Sequence, residues 1–456
     1  MTTKTANIDR ARLTALSERE HVRFLARVPQ SRALHARAIR HLPNGVPMSW
    51  MAGLYPTPPL YAARGAGPRF WDIDGNEYLD FNLCDLSVTM GFTPAPVVAA
   101  VTRAASAGAH FLLATPEAIP VAEELARRVG VPHWQFTLSA SGANSEVIRI
   151  ARVATGRRKV AIFEGHYHGH LDETLVRRDA KHGIVPDLMG VLPDAIGNTV
   201  ILPFNDLAAL EQRLQSRDVA LVLTEPALTN CTLVLPRPGF HDGLRALTAR
   251  YGTLLCYDEA HTFQFAYGGL VAAWSLVPDF VVLGKGLGTG ISFGLYGMSE
   301  AVAETFLRHA DNDSGPKGIA TGGTTYASAV AVAAARAALE QVLTRDGYRR
   351  LEELGQRLAD GLDGAFRVRG LAWRAQHLGP RSGYCLSTAL PDNGAEAAQS
   401  LDAELINARR VYLANRGIWD AVASAGPQVS FAHEPADVDA YLSAVANFLG
   451  EVATSA

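Results

Sequence analysis

The chain has 456 residues, 42 basic and 45 acidic side chains and a formal net charge of −3. That length is enough for a large core and more than one domain. No basic run or basic amphipathic helix points to nucleic acid or a membrane surface, and every apolar run is too short to span a bilayer. The four cysteines (Cys84, Cys231, Cys256, Cys385) are scattered without metal-type spacing, and the first ten residues lack the apolar core of a signal peptide. A reduced, cytoplasmic protein is expected.

In chain order, residues 8 to about 40 read as a helix rich in Arg, Ala, Leu and Glu, stopped by Pro43-Asn44-Gly45. Short strands follow from Leu60 to Phe81, with Asp74-Gly75-Asn76 as a hairpin turn. From about 94 to 300, helical patterns alternate with apolar strands. Strands are expected near 134–138, 158–163, 199–203, 219–224, 253–257, 280–284 and 293–297. Helices are expected near 94–108, 117–129, 142–155, 205–215, 239–251 and 299–309. Such alternation predicts an α/β fold, a mostly parallel sheet with helices on both faces. Residues 326–366 read as two helices, and the remainder as mixed α and β. Asp311–Gly318 is the clearest loop. The expected division is 1–80 as part of a small domain, 81–335 as the large domain and 336–456 as the rest of the small α+β domain.

Lys285 stands at the end of the apolar run Phe280–Gly284, before the glycine-rich Gly286–Gly290. A lysine there can simply snorkel to water. Twenty-seven residues upstream, the run Thr253–Tyr257 ends in Asp258-Glu259. Two strands that end in an acid and a lysine can face one pocket in an α/β sheet. That pairing suits pyridoxal 5'-phosphate: Lys285 holds the aldehyde as a Schiff base, and Asp258 keeps the pyridine nitrogen protonated.

Other motifs each admit two readings. Ser139-Ala140-Ser141-Gly142-Ala143-Asn144 joins a strand to a helix; it suits a phosphate, or a plain N-cap with close helix packing. His166, His168 and His170 alternate after another strand. Without a Cys or Glu partner motif no metal is expected, and an aromatic ring in this stretch can lie on a flat cofactor. Glu225-Pro226 ends a strand, where a carboxylate is functional or merely solvated. Thr321–Tyr326 precedes a helix, as a phosphate donor or a capped turn. The Gly286–Gly290 run matches neither nucleotide-binding glycine pattern.

The order of these segments resembles the class III (ornithine/GABA type) aminotransferases of fold type I, including the glutamate-1-semialdehyde aminomutase type, over about residues 30 to 445. Trp71–Asp80 is similar to the family's W-D-x-D-G-x-x-Y-x-D. Ser139–Asn144 aligns with its phosphate loop S-G-A-E-A-N, and Tyr167-His168-Gly169 with its Y-H-G. Glu225-Pro226 and Asn230 align with E-P-x-x-x-N, and Asp258-Glu259-Ala260 with D-E-V. The resemblance implies a cofactor held by Ser139, Ala140, Ser141, Tyr167, Glu225, Asn230, Asp258, Ala260 and Lys285. Tyr167 would stack on the ring, and Thr324 would reach the phosphate of a neighbouring subunit in a homodimer.

The departures fall mainly on substrate residues. Where relatives carry carboxylate-gripping arginines, this chain has Met51 and Phe265; the phosphate loop has Ala140 and Gly142 for the usual Gly and Glu. The expected pocket includes Trp50, Met51, His166, His261 and Phe265, and the expected substrate is a small-molecule amine or amino acid. The expected activity is transfer of an amino group to a carbonyl acceptor. An aminomutase, a racemase or epimerase, or an ammonia-lyase on the same scaffold is the alternative.

Overall fold

The computed structural model describes residues 7–179, 181–309 and 318–454. The chain forms two compact units: Met1–Pro94 with Arg349–Leu390 and Gln399–Ala456, and Ala95–Tyr348 with Pro391–Ala398.

The second unit is built on a seven-stranded sheet. Its spatial order is His133–Thr137, Gly294–Met298, Phe280–Leu283, Leu254–Asp258, Val219–Thr224, Lys159–Phe163, Thr199–Leu202. Gly294–Met298 runs antiparallel to both neighbours, and the other pairs are parallel. The central strands are apolar along their whole length because both faces are covered: every residue of Val219–Thr224 and Phe280–Leu283 is buried. Val147, Ile150 and Ala151 of the Ala140–Thr155 helix share a core with Ile162, Leu221, Leu223, Cys256 and Val282.

All seven expected strands form, each within a residue or two of its expected span. The antiparallel strand still leaves the sheet mostly parallel. Thr289 and Gly290, both at positive φ, turn the chain back after Lys285.

The first unit holds a four-stranded sheet, Ala62–Ala66, Arg69–Asp72, Glu77–Asp80 and Ile418–Trp419. Gly75, at φ 85, makes the turn expected at Asp74–Asn76. Phe24, Val28, Phe70, Tyr78, Val411 and Ala414 form a core here. The single helix expected from 8 to 40 is instead two, Arg10–Arg27 and Pro29–Ala38. Pro29 lacks an N–H and biases Val28 away from the helical region, so the chain breaks there. Residues 326–366 give two helices, Ala329–Gln341 and Arg345–Val368. Most of the loop expected at Asp311–Gly318 lies outside the described residues. Among the described residues, no helix is long and apolar enough to cross a membrane.

Candidate active site

Parallel strands end on one side of a sheet, and the site is assembled there. Asp258 is the last residue of its strand and pairs in register with Val282 of the next strand, three residues before Lys285. The Glu259 N–H donates to the Val282 carbonyl at 2.8 Å, which holds the two strands in register where both chains turn away. Lys285 is half-buried and opens a short 3-10 turn to Gly288 at φ 47. A non-glycine residue in the left-handed region is strained, and such strain is found most often at functional sites.

Asp258 is 3% exposed and receives three hydrogen bonds. His168 Nδ1 and Asn144 Nδ2 each lie 2.8 Å from Oδ2, and the Ala260 N–H donates to Oδ1 at 3.0 Å. Asn144 also donates to the His168 backbone carbonyl at 3.0 Å, so Asp258, Asn144 and His168 are bonded pairwise. Because Asp258 accepts, His168 carries its proton on Nδ1. The His166 ring stacks on that of His168 with centroids 5.0 Å apart. Its nitrogens face the carbonyls of Phe163 and Thr174 at 2.6 and 3.1 Å. Burial, aided by His168, pushes His166 down to about 3, so the ring is neutral and engaged with main chain. The exposed third histidine, His170, donates its N–H to Ser141 Oγ at 3.3 Å.

Ser139 is the N-cap of the Ala140–Thr155 helix, its Oγ accepting from the Gly142 N–H at 3.1 Å. Two glycines let neighbouring segments close on this turn. A Cβ on Gly294 would sit 2.4 Å from the Ser139 carbonyl carbon, and one on Gly169 (φ 92) would sit 2.0 Å from Ser141 Oγ. Gly284, next to Lys285, packs on Ala140. The helix N-terminus with Ser139, Ala140 and Ser141 therefore lies against the lysine-bearing turn on one side and the Tyr167–His170 segment on the other. Orphan N–H groups and the helix dipole make such a terminus suited to a phosphate.

Glu225, 3% exposed, follows the Val219–Thr224 strand. Oε1 accepts from the Tyr167 N–H and Asn230 Nδ2, both at 3.3 Å. Oε2 accepts from the N–H and hydroxyl of Thr229, at 3.0 and 2.5 Å. Burial raises the Glu225 carboxyl above the ordinary range. The Thr229 hydroxyl also lies 2.7 Å from Nδ1 of His261, which is 5% exposed. Tyr167 is 42% exposed, Thr324 is exposed and Phe265 is buried. Trp50 and Met51 are exposed on the short helix Trp50–Gly53 of the other unit.

His168 and Asn144 lie within the motifs seen in the sequence, but their place beside Asp258 emerges only from the structure. The histidine alternation was the available signal, since residues two apart in an extended segment share a side. Also missed was a support beneath the strand ends: Tyr257 donates to His241 Nδ1 at 2.9 Å, and His241 Nε2 bonds the Pro226 carbonyl at 2.9 Å. Burial pushes His241 down to about 4.

This donor set fits pyridoxal phosphate. A buried carboxylate whose bonds leave acceptor capacity on Oδ1 suits a pyridinium N–H. The half-buried Lys285, just past the end of the neighbouring strand, suits an aldehyde, and the capped helix end suits a phosphate dianion. Fold and site together define a fold type I pyridoxal-phosphate enzyme. The model described as "Aminotransferase class-III" matches residues 51–367, and the chain belongs to that family. It is 34% identical over 443 residues to a glutamate-1-semialdehyde 2,1-aminomutase of Gemmatimonas aurantiaca, covering 94% of this chain and 98% of that one. A lysine-to-alanine variant of a glutamate-1-semialdehyde-aminomutase from Pseudomonas aeruginosa PAO1, solved in complex with PMP, is 36% identical with a TM-score of 0.93, over 98% of this chain and 100% of that one. An omega-transaminase from Sphaerobacter thermophilus is 30% identical with a TM-score of 0.86, over 94% and 99%.

Proposed function

We propose that this class III enzyme moves an amino group from an amine or amino-acid donor to a carbonyl acceptor, with Lys285 as the catalytic amine. The observation that carries the reading is the buried Asp258, held by His168 and Asn144, on the strand beside the one that leads into Lys285. Bound pyridoxal phosphate supplies a protonated ring that draws electrons from the amine-bearing carbon of a substrate. Asp258 holds the proton at the ring nitrogen through its carboxylate. Lys285 Nζ takes the proton from the substrate carbon and returns it, acting as base and then acid. Ser139, Ala140 and Ser141 would hold the phosphate at the helix end, and the exposed Tyr167 would supply an aromatic ring to the cofactor. Thr324, exposed in one subunit, is assigned to the phosphate of a second, in a homodimer.

A second reading is an aminomutase, favoured by the aminomutase relatives named above. Incubation with a single amino donor, followed by absorbance, separates the two. A transaminase accumulates the pyridoxamine form and a stoichiometric carbonyl product, whereas an aminomutase returns an isomer with no net carbonyl release. Lys285→Ala should retain the fold and lose the cofactor adduct that borohydride fixes. Labelling at a different lysine would remove Lys285 from the mechanism.

A further inference from the structure

Glu225, Thr229 and His261 form a chain of buried polar groups that the proposed chemistry does not use. Oε2 to Oγ1 is 2.5 Å, Oγ1 to Nδ1 is 2.7 Å, and the three residues are 3%, 0% and 5% exposed. A threonine hydroxyl has one proton and can accept as well as donate. Two proton arrangements therefore satisfy the same heavy atoms. In one, His261 Nδ1–H donates to Oγ1, and the hydroxyl donates to a Glu225 carboxylate. In the other, a protonated Glu225 donates to Oγ1, and the hydroxyl donates to a bare Nδ1.

We propose that Thr229 is a proton relay between His261 and Glu225, and that His261 is thereby a positioning residue that sets the charge beside Tyr167. A proton leaves Nδ1 of a doubly protonated His261 for Oγ1 as the hydroxyl proton passes to Oε2. An imidazolium and a carboxylate become a neutral imidazole, protonated at Nε2, and a carboxylic acid. No heavy atom moves and no net charge changes. Burial favours the neutral pair and mutual attraction favours the charged one. Each state also changes what holds the cofactor. The Tyr167 N–H and Asn230 Nδ2 both donate to Oε1, and both bonds strengthen when Glu225 is charged. His168 and Asp258 also act electrostatically on the Glu225 carboxyl.

This inference deepens the proposed reading of the site, but its test needs no turnover. In the resting holoenzyme, selective 15N labelling follows the His261 ring through a pH titration. Infrared absorption follows the Glu225 carboxyl, identified as the band lost in Glu225→Gln. A relay makes the two signals move with one midpoint in the wild type, with two midpoints in Thr229→Val, and with one again in Thr229→Ser. Thr229→Ala serves as the second hydroxyl-free variant if the valine form does not fold. Two midpoints already present in the wild type, or one midpoint retained without the hydroxyl, would overturn the relay. Failure of the Lys285 adduct test would overturn the cofactor reading and leave these titrations unaffected.

Discussion

His168 Nδ1 and Asp258 Oδ2 lie 2.8 Å apart, and neither side chain is more than 3% exposed. A carboxylate out of water needs donors, and the His168 imidazole is one of the three that Asp258 has, with Asn144 and the Ala260 N–H.

Asp258→Asn keeps an oxygen for His168 and Asn144, so the variant should fold. It should lose turnover by at least about 100-fold, because a neutral amide no longer favours a protonated ring nitrogen. Thermal melting and steady-state rates measured together check this, and near-normal rates would refute the role.

Gly294→Ala should weaken cofactor binding more than it weakens the sheet. The new methyl would lie 2.4 Å from the Ser139 carbonyl carbon and push the helix N-terminus away from the lysine-bearing turn. Overpacking of this kind costs about 1–3 kcal/mol, and one tenfold step in affinity is about 1.4 kcal/mol. Titration of the apo-protein with pyridoxal phosphate should give a dissociation constant raised by about tenfold or more. An unchanged constant would show that the turn relaxes freely.

His241 should shape the acid limb of stability. Burial lowers it from the ordinary 6.5 to about 4 in the folded chain, so between those values the unfolded chain binds more protons. Its contribution is complete above about 6.5 and is lost as pH falls towards 4, by up to about 1.4 kcal/mol per pH unit. His241→Gln should be less stable at neutral pH, but its melting temperature should fall less steeply than the wild type's between pH 6.5 and 4. Parallel acid limbs would contradict the buried, neutral imidazole.

Glutamate should be a poor donor. The family resemblance read from the sequence puts Met51 and Phe265 at the positions of carboxylate-gripping arginines, and a carboxylate buried without its cation costs roughly 3–5 kcal/mol. An uncharged amine or a β-amino acid should exceed glutamate and alanine in kcat/KM. A strong preference for glutamate would mean that another cation grips its carboxylate.

The sheet was legible because most of its strands are short apolar runs closed by glycine, proline or charge, as in Phe280–Gly284 before Lys285. The N-terminal break was legible in principle at Pro29, but a long helical pattern on both sides masked it. At the site, strand-end positions marked Lys285, Asp258 and Glu225. The bonds that orient them were not legible: Asn144 meets Asp258 across 114 positions, and His168 meets it across 90. Periodicity describes neighbours along a chain, and nothing in it says which strand ends lie side by side. Thr229 and His241 were passed over for the same reason, since a threonine four residues after Glu225 has no meaning until the chain turns back.

The triangle of Asn144, His168 and Asp258 draws on three strand-to-helix or strand-to-loop junctions of one sheet. Contacts so distant in sequence close late, after most of the loop entropy has been lost. During refolding, secondary structure should therefore return well before the yellow colour of the bound coenzyme. Colour then works as a built-in checkpoint: a chain that has misplaced even one of these strands stays pale, whatever its helix content.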